Sequence, residues 1–297
     1  MRVRAFAKIN LSLRVLGQRA DGYHELQTIF QSIALHDTLT IRAARGPFRL
    51  TCDDPGCPSG GTNLIWRAAE RLWAVSGRRG DARDVAIDLV KRIPRQAGLG
   101  GGSSDAAAAL RALGRLWRVD EARLRATAAE LGADVPFFLE GGTALGLERG
   151  DRLFPLIDYP AAWVLLVLPS FGVSTKEAFG WWDASRDAAV GRPFQGRHRR
   201  GAPERGALQM FELVNDLEAP VASHHPQIAR LVRALRKAGA SHAAMTGSGS
   251  AVFGLFARRT AAACAAVALC GPASPRPIVT LVTRTLNRKG YRALARM

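Results

Sequence analysis

The segment from Gln96 to Ala106 (QAGLGGGSSDA) combines glycines, serines and a predicted helix start in the way that a phosphate site requires. Glycine has no Cβ, so this backbone can turn tightly and direct several N–H groups at one ligand. The first turn of the helix adds unpaired N–H donors and the positive end of the helix dipole. The segment lacks the lysine that ends a P-loop, and its glycines do not have the GxGxxG spacing of dinucleotide-binding folds. A tight turn that only caps the helix is the alternative interpretation.

A second glycine-rich segment, Thr246 to Ser250 (TGSGS), joins two short apolar runs that predict strands. A hairpin turn between those strands would explain the segment without any ligand. If it lies beside the first segment, it would form a second wall of one phosphate site. We therefore predict that Gly247, Ser248 and Gly249 line the site, and a plain turn stays open as the alternative.

Two further residues could supply the charges that group transfer needs. Lys8 and Asn10 lie two residues apart in a predicted strand, so their side chains share one face while the apolar neighbours point into a core. Asp134 stands before Pro136 at the start of a short predicted helix. Its carboxylate could act as a general base or could simply cap that helix. For Lys8 the alternative is an ordinary solvated lysine.

The elements that must position these residues follow from the hydrophobic pattern. A helix is predicted between Asn63 and Gly77, and others at 104–116, 121–131, 134–139 and 227–238. Strands are predicted at 5–16, 26–34, 37–43, 85–91, 143–147, 163–168, 243–245, 251–256 and 278–285. The mixture predicts an α+β chain of two domains, 1–157 and 158–297, that meet near residues 155–160.

The charge of the chain suggests an anionic partner. The formal net charge is +17 and the sequence pI is about 11.1, as in proteins that bind nucleic acid or membrane surfaces. However, only five of the 42 basic residues are lysine, and the arginines are scattered without interleaved aromatic residues. We attribute the charge to overall composition and expect neither nucleic acid nor membrane as a partner. A positive field would still attract polyphosphate substrates.

Two other features concern location and mobility. The four cysteines lack the spacing of a zinc site, no signal peptide is evident, and no apolar run reaches the ~18 residues of a membrane span. These observations predict a cytoplasmic protein. The segment from Arg192 to Gly206 is rich in arginine and glycine and predicts a mobile loop. It would be an inert insertion or an arm that binds a polyanion.

Five stretches of the chain resemble the GHMP kinase superfamily in order and spacing. They are AKINLSL at 7–13, DGYHELQT at 21–28, AGLGGGSSDAA at 97–107, GADVPFF at 132–138 and TGSGSAVF at 246–253. The resemblance implies a two-domain α+β GHMP kinase fold with the active site between the domains. Its N-terminal half would resemble domain 2 of ribosomal protein S5, and its C-terminal half would be ferredoxin-like. DGYH and GADVPFF match the branch that phosphorylates a cytidine-diphosphate-linked methylerythritol for isoprenoid biosynthesis.

The resemblance also implies roles for individual residues. Lys8 and Asp134 match the catalytic pair. ATP and Mg²⁺ are the implied cofactors, with the ion held through ATP, Ser104 as its candidate protein contact, and no protein cage. The cytidine-diphosphate substrate would be bound by Asn10, Tyr23, His24, Phe179, Gly247, Ser248 and Gly249, with Tyr23 and Phe179 on the two faces of the cytosine and His24 at its edge. ATP would be bound by Asn63, Pro94, Arg95, Gln96, Ala97, Gly98, Leu99, Gly100, Gly101, Gly102, Ser103 and Ser104.

Departures and rival functions stay open at this point. Arg95-Gln96 stands where the family often has a pair of small residues, which leaves the path of the chain into the glycine segment uncertain. Another GHMP kinase, acting on homoserine, mevalonate or a sugar, would share the glycine segments but would have no nucleobase for Tyr23 and His24. A nucleic-acid-binding protein would use the net charge and the S5-like half instead. We expect a monomer or weak homodimer that acts on small molecules.

Overall fold

The computed structural model describes residues 1–187, 213–270 and 278–295, so the segment from Arg192 to Gly206 lies outside the described residues. The strands are β1 (Arg2–Gln18), β2 (His24–Pro47), β3 (Arg49–Cys52), β4 (Arg83–Val90), β5 (Thr143–Glu148), β6 (Arg152–Pro155), β7 (Trp163–Pro169), β8 (His242–Met245), β9 (Val252–Phe256) and β10 (Ile278–Arg284). The helices are α1 (Leu64–Val75), α2 (Gly101–Trp117), α3 (Glu121–Leu131), α4 (Val135–Glu140), α5 (Thr175–Asp187), α6 (Glu218–His224), α7 (Gln227–Lys237), α8 (Arg259–Leu269) and α9 (Arg288–Ala295). This mixture confirms the α+β class.

The first sheet contains β1 to β6. Its strand order is β3-β4-β2-β5-β6, with β1 paired to β2, and only the β3–β4 pair is parallel. The prediction of two strands at 26–34 and 37–43 is wrong, because both belong to β2. A break was expected between residues 34 and 37, but β2 continues there and His36 pairs with Phe6. Only the register of the β1–β2 pairing shifts, directly after Phe6.

Helices α1 to α4 pack on the first sheet through one large apolar cluster. The side chain of Asn63 caps α1 by accepting a hydrogen bond from the N–H of Ile65 at 2.8 Å. Alanines on the buried side of α2, such as Ala106 and Ala109, are fully buried, and their small size lets α2 lie close to β1. Helix α2 begins at Gly101, three residues earlier than the predicted Ser104, because the last glycines of the segment join its first turn.

The second sheet contains the four antiparallel strands β10-β7-β9-β8. It begins with β7, whose central residues from Val164 to Val167 are all fully buried. Helix α7 packs on it with Ile228, Leu231 and Leu235, which confirms the helix predicted at 227–238. The chain passes from one sheet to the other between β6 and β7, and the predicted division at residue 157 stays a prediction.

Strand β1 takes part in both halves of the molecule. Val3 and Ala5 belong to the cluster under the first sheet, whereas Leu13 and Val15 pack with the helices of the second sheet. Between them, the alternate residues are fully buried against the strands of the second sheet; they are Ala7, Ile9 and Leu11. The face of β1 that carries Lys8 and Asn10 is therefore held in place by apolar contacts on its opposite side.

Helix α9, which the sequence pattern did not predict, returns from the second sheet to the first. The Tyr291 hydroxyl donates to the carbonyl of Phe138 in α4 at 2.6 Å. Arg292 pairs with Glu140, also in α4, at 2.6 Å. The last described helix thus holds the short helix that follows Asp134. Within the described parts of the chain, no helix is long and apolar enough to cross a membrane.

Candidate active site

One cleft brings together most of the residues that the sequence singled out. It has a volume of ≈ 1290 Å³ and is bounded by the two glycine segments, the start of β2 and the first turns of α5. Every residue predicted for the site lines this cleft except Asn63 and Ser104. The location of the predicted residues is therefore largely as expected, while their roles stay proposals.

The glycine segment at 96–103 is fixed against β1 and α4. The N–H of Lys8 donates to the carbonyl of Leu99 at 3.1 Å. Gly100 has a φ of +72°, and a Cβ there would lie 2.6 Å from the ring of Phe138, so the close approach requires glycine. Gly100 also offers no side-chain cap to α2. The first-turn N–H groups of α2 are consequently left for an anionic ligand.

The two glycine segments contact each other backbone to backbone. A Cβ on Gly98 would lie 2.1 Å from the carbonyl oxygen of Thr246, and a Cβ on Gly247 would lie 3.1 Å from Cα of Gly98. The amide of Asn215 donates to the carbonyls of Met245 and Gly247 at 2.8 and 2.9 Å and so supports the second segment. The segment from Thr246 to Ser250 is a hairpin turn between β8 and β9, and it also forms a wall of the cleft.

Lys8 is almost fully buried and faces the cleft, so the alternative of a solvated lysine is wrong. Its Nζ lies 3.6 Å from Oδ2 of Asp134 and donates to Oδ1 of Asn10 at 2.7 Å. Nδ2 of Asn10 in turn donates to the hydroxyl of Thr28 at 2.7 Å. This chain of hydrogen bonds fixes the orientation of the ammonium group toward Asp134.

Asp134 occupies the N-cap position of α4, yet its side chain makes no capping hydrogen bond. The carboxylate instead points toward Lys8, and its side chain is 32% exposed in the cleft. The helix-cap interpretation therefore does not account for this residue. A partly exposed carboxylate beside a buried ammonium group is suited to accept a proton from a bound hydroxyl group.

Burial lowers the pKa of Lys8, because the charged ammonium loses its hydration, while the neighbouring Asp134 carboxylate acts in the opposite direction. The ammonium form is thus held in the cleft by Asp134 against a desolvation cost. Because charges interact more strongly in such a poorly hydrated site, Lys8 can stabilise negative charge that develops nearby.

A second buried ionic cluster, which sequence reasoning missed, lies beneath the glycine segment. Lys91 donates to both Asp37 and Asp105, at 2.7 Å for Asp105, and Asp37 also accepts the N–H of Ile93 at 2.8 Å. Burial raises the pKa of Asp105 well above its usual value, and the nearby Asp37 adds to this effect. The cluster ties β2, β4 and α2 together at the point where the chain enters the segment.

Another part of the cleft lining is aromatic. The ring of His24 stacks on Phe179 with centroids 4.5 Å apart, and its Nε2 lies 2.8 Å from Oδ1 of Asp183. Tyr23 is 58% exposed, with the guanidinium carbon of Arg149 5.3 Å from its ring centroid. The structure therefore places Tyr23, His24 and Phe179 in one neighbourhood. Asp183 and Arg149, which also line the cleft, carried no local sequence signal.

The residues that depart from the family pattern have defined positions. Arg95 pairs with Asp54 at 3.2 Å and also donates to the carbonyl of Gly56, so it binds the turn after β3. Gln96 has a φ of +52°, a left-handed conformation that a glycine would adopt without strain. Both residues line the cleft.

Two predicted site residues are turned away from the cleft. Asn63 uses its oxygen to cap α1, and its amide nitrogen donates to the carbonyl of Pro58 at 2.6 Å, so it is not free to contact an adenine. The Ser104 hydroxyl donates to the carbonyl of Phe6 at 2.7 Å and is buried, so Ser103 and not Ser104 faces the cleft. No cluster of three or more metal-binding side chains occurs in the described segments.

Family comparisons match both halves of the chain. The family model for the GHMP kinases N terminal domain matches residues 63–142, and the GHMP kinases C terminal model matches residues 196–273. The chain belongs to the GHMP kinase family. A curated relative of this GHMP kinase from Moorella thermoacetica, a 4-diphosphocytidyl-2-C-methyl-D-erythritol kinase, is 45% identical over 85% of this chain and 89% of its own.

Two further comparisons extend over nearly the whole molecule. A 4-diphosphocytidyl-2-C-methyl-D-erythritol kinase from Anaeromyxobacter dehalogenans is 45% identical over 95% of this chain and 90% of its own. A crystal structure of 4-(cytidine 5'-diphospho)-2C-methyl-D-erythritol kinase aligns with a TM-score of 0.73 and 34% identity, covering 97% of this chain and 100% of that one. The two-domain GHMP kinase fold expected from the sequence is thereby confirmed, and the protein is a small-molecule kinase.

Proposed function

We propose that this GHMP kinase transfers the γ-phosphoryl group of ATP to the 2-hydroxyl group of 4-(cytidine 5'-diphospho)-2-C-methyl-D-erythritol. The observation that carries the proposal is that the Lys8–Asp134 pair lines the same cleft as both glycine segments and the aromatic residues Tyr23, His24 and Phe179. A nucleotide phosphate against the glycine segments and a nucleobase against the aromatic residues would bring the two reacting groups to this pair. The names of the relatives support the choice of substrate.

Asp134 is the proposed general base. Its free carboxylate accepts the proton of the 2-hydroxyl group while that oxygen forms a bond to the γ-phosphorus, and the bond from this phosphorus to the β–γ bridging oxygen breaks, which releases ADP. Phosphoryl transfer needs mainly positioning and charge stabilisation, so the base contributes a part of the rate, about 10²–10⁴-fold.

Lys8 stabilises the charge on the substrate oxygen as the proton leaves it, and its ammonium group also balances the Asp134 carboxylate 3.6 Å away. The hydrogen bond to Asn10 fixes the rotamer, so little reorganisation is needed during the reaction. Gly247 of the second glycine segment also lies close to Lys8, because a Cβ at that position would be 3.4 Å from the Lys8 nitrogen.

The ATP phosphates are proposed to lie against the first turn of α2 and the backbone of both glycine segments. These residues also fit Mg²⁺ held mainly by phosphate oxygens, because the cleft offers the Ser103 hydroxyl and, among the residues that the structure describes, no preformed ligand cage. When bound, the ion supplies neutralisation of the β- and γ-phosphate charge. The first-turn N–H groups of α2 and Lys91 beneath them orient the phosphate chain.

The role of Asp134 as general base is tested by replacing it and, in a separate variant, a second aspartate that also stands at a helix N-cap. Asp120 is the N-cap of α3, and its carboxylate does accept the N–H of Arg123 at 2.9 Å, unlike that of Asp134. Asp134→Ala should abolish ADP release with the cytidine substrate while the protein stays folded. Asp120→Ala should lower stability by about 1 kcal/mol while turnover is kept. Near-normal turnover by the folded Asp134→Ala protein would refute the role.

The substrate itself is tested by turnover of the cytidine-diphosphate methylerythritol compound beside mevalonate and homoserine. Turnover of one of the latter two, without turnover of the cytidine compound, would assign the chain to another branch of the family. The cytoplasmic location and the monomeric or weakly dimeric state are further parts of the proposal. They can be measured by cell fractionation and by light scattering of the purified chain.

A further inference from the structure

His24 is held by one face of α5. Phe179, Trp182 and Asp183 are spaced three and four residues apart, so their side chains lie on the same side of the helix. Phe179 stacks on the imidazole at 4.5 Å with an interplanar angle of 20°, and Trp182 meets it edge-on at 5.6 Å and 90°. Asp183 contacts Nε2 at 2.8 Å. The position and the plane of the ring are thus fixed by three contacts.

The contact with Asp183 also decides which nitrogen of the neutral ring carries the hydrogen. A carboxylate oxygen accepts hydrogen bonds, so Nε2 must donate and Nδ1 is left with a lone pair. Nδ1 has no hydrogen-bond partner within the described residues, and the ring is one of the walls of the cleft. His24 therefore presents an acceptor, and not a donor, to whatever occupies this part of the cleft.

We propose that Asp183 is a positioning residue for nucleobase specificity: it holds His24 in the tautomer that accepts a hydrogen bond from the exocyclic amine of cytosine. Uracil carries a carbonyl oxygen at the same ring position, and this oxygen would face the lone pair of Nδ1. The site would leave both acceptors unpaired with uracil, which costs binding free energy. The inference rests on the cytidine substrate of the proposed function.

The stacking contact agrees with this arrangement. A base that meets Nδ1 edge-on lies roughly in the plane of the imidazole, so both rings would share the same side of Phe179. Phe179 would then support the imidazole and the base together, instead of holding a base between itself and His24, where a centroid separation of 4.5 Å leaves no room.

The test compares Asp183→Asn with Glu25→Gln as the matched control. Asp183 and Glu25 are similarly exposed, at 40% and 37%, but Glu25 pairs with Arg19 and does not line the cleft. An asparagine offers an N–H as well as an oxygen, so hydrogen on Nε2 is no longer enforced, and the tautomer in which Nδ1 is a donor becomes accessible. The two readouts are kcat/KM for the cytidine and uridine forms of the diphosphate substrate, and the Kd of cytidine and uridine diphosphate, at about pH 8, where a histidine is ordinarily neutral.

The preference for cytidine over uridine should fall by at least about tenfold in Asp183→Asn and stay unchanged in Glu25→Gln. In parallel, ¹⁵N spectra of the imidazole should show a protonated Nε2 and an unprotonated Nδ1 in the wild-type protein. An unchanged preference in Asp183→Asn, or the reverse tautomer in the wild type, would overturn the inference. Failure of the proposed function would be visible separately as absent phosphoryl transfer, since the Kd ratio and the spectra need no turnover.

Discussion

Substitution of Gly98 by alanine tests whether contact between the two glycine segments matters for catalysis. The new Cβ would lie 2.1 Å from the Thr246 carbonyl oxygen and 3.3 Å from the Gly249 nitrogen, whereas ordinary van der Waals contact begins at 3.4 Å. The segments must therefore separate by about 1.3 Å, the difference between 3.4 and 2.1 Å. A misplacement of about 1 Å can reduce a rate about 10²-fold, so we expect kcat/KM to fall by about that factor.

Gly77 provides the matched control for this substitution. Its φ of +78° is close to the +72° of Gly98, but a Cβ on Gly77 would have no atom within 4 Å. Both alanine variants should lose about 1–2 kcal/mol of unfolding free energy from the left-handed conformation. Only Gly98→Ala should also lose activity, as measured by ADP release under varied ATP. If the two variants retain kcat/KM within about threefold of each other, contact between the segments is not what positions the phosphates.

Three further outcomes are expected. Because burial lowers the pKa of Lys8, the folded wild type should gain stability as pH rises through that lowered pKa toward 10.5. Lys8→Met should lose this dependence, together with turnover, and should melt no lower than the wild type at neutral pH. Burial lowers the pKa of His242 to about 4 from 6.5, so the free energy of unfolding of the wild type should decrease by roughly 3 kcal/mol as the pH falls from 6.5 to 4. The His242→Gln variant should lack this decrease, and urea unfolding at both pH values measures the difference. Tyr23→Ala should raise KM for the cytidine substrate and leave KM for ATP unchanged; an equal rise in both would contradict the base contact.

Local patterns predicted most of the elements that carry the site. The helix at Glu121–Leu131 has the predicted bounds, and β1 and α2 differ from prediction only at their ends, because each has a continuous apolar period. The first glycine segment was identifiable because four glycines in the five residues 98–102 exceed the need of a turn, whereas the second could be read as a plain hairpin turn. β6 has four residues and α9 has eight, which is too short for a hydrophobic period to identify an element from the sequence alone.

Pairings between distant residues could not be predicted. His24 and Asp183 are 159 residues apart, and Lys91 and Asp37 are 54 apart, so no spacing rule connects them. The same limit applies to Asn63 and Ser104, whose side-chain partners could not be read from the sequence. Each residue has the type expected of a nucleotide contact, but backbone groups nearby in space take its hydrogen bonds. The type of a residue shows whether its side chain can donate or accept a hydrogen bond, but the partner of that bond depends on the fold.

Because α9 contacts α4, the helix that follows Asp134 gains these contacts only late in synthesis of the chain. Phe138, whose carbonyl receives the Tyr291 hydroxyl, is translated 153 residues before that tyrosine. A nascent chain would therefore carry both glycine walls and the aromatic residues before the Asp134 helix gains its contacts with α9. A product truncated before residue 288 would keep the residues proposed to bind nucleotide and the core packing of α4 but would lose the contacts of Tyr291 and Arg292 with that helix, so we expect it to bind nucleotide and to catalyse poorly.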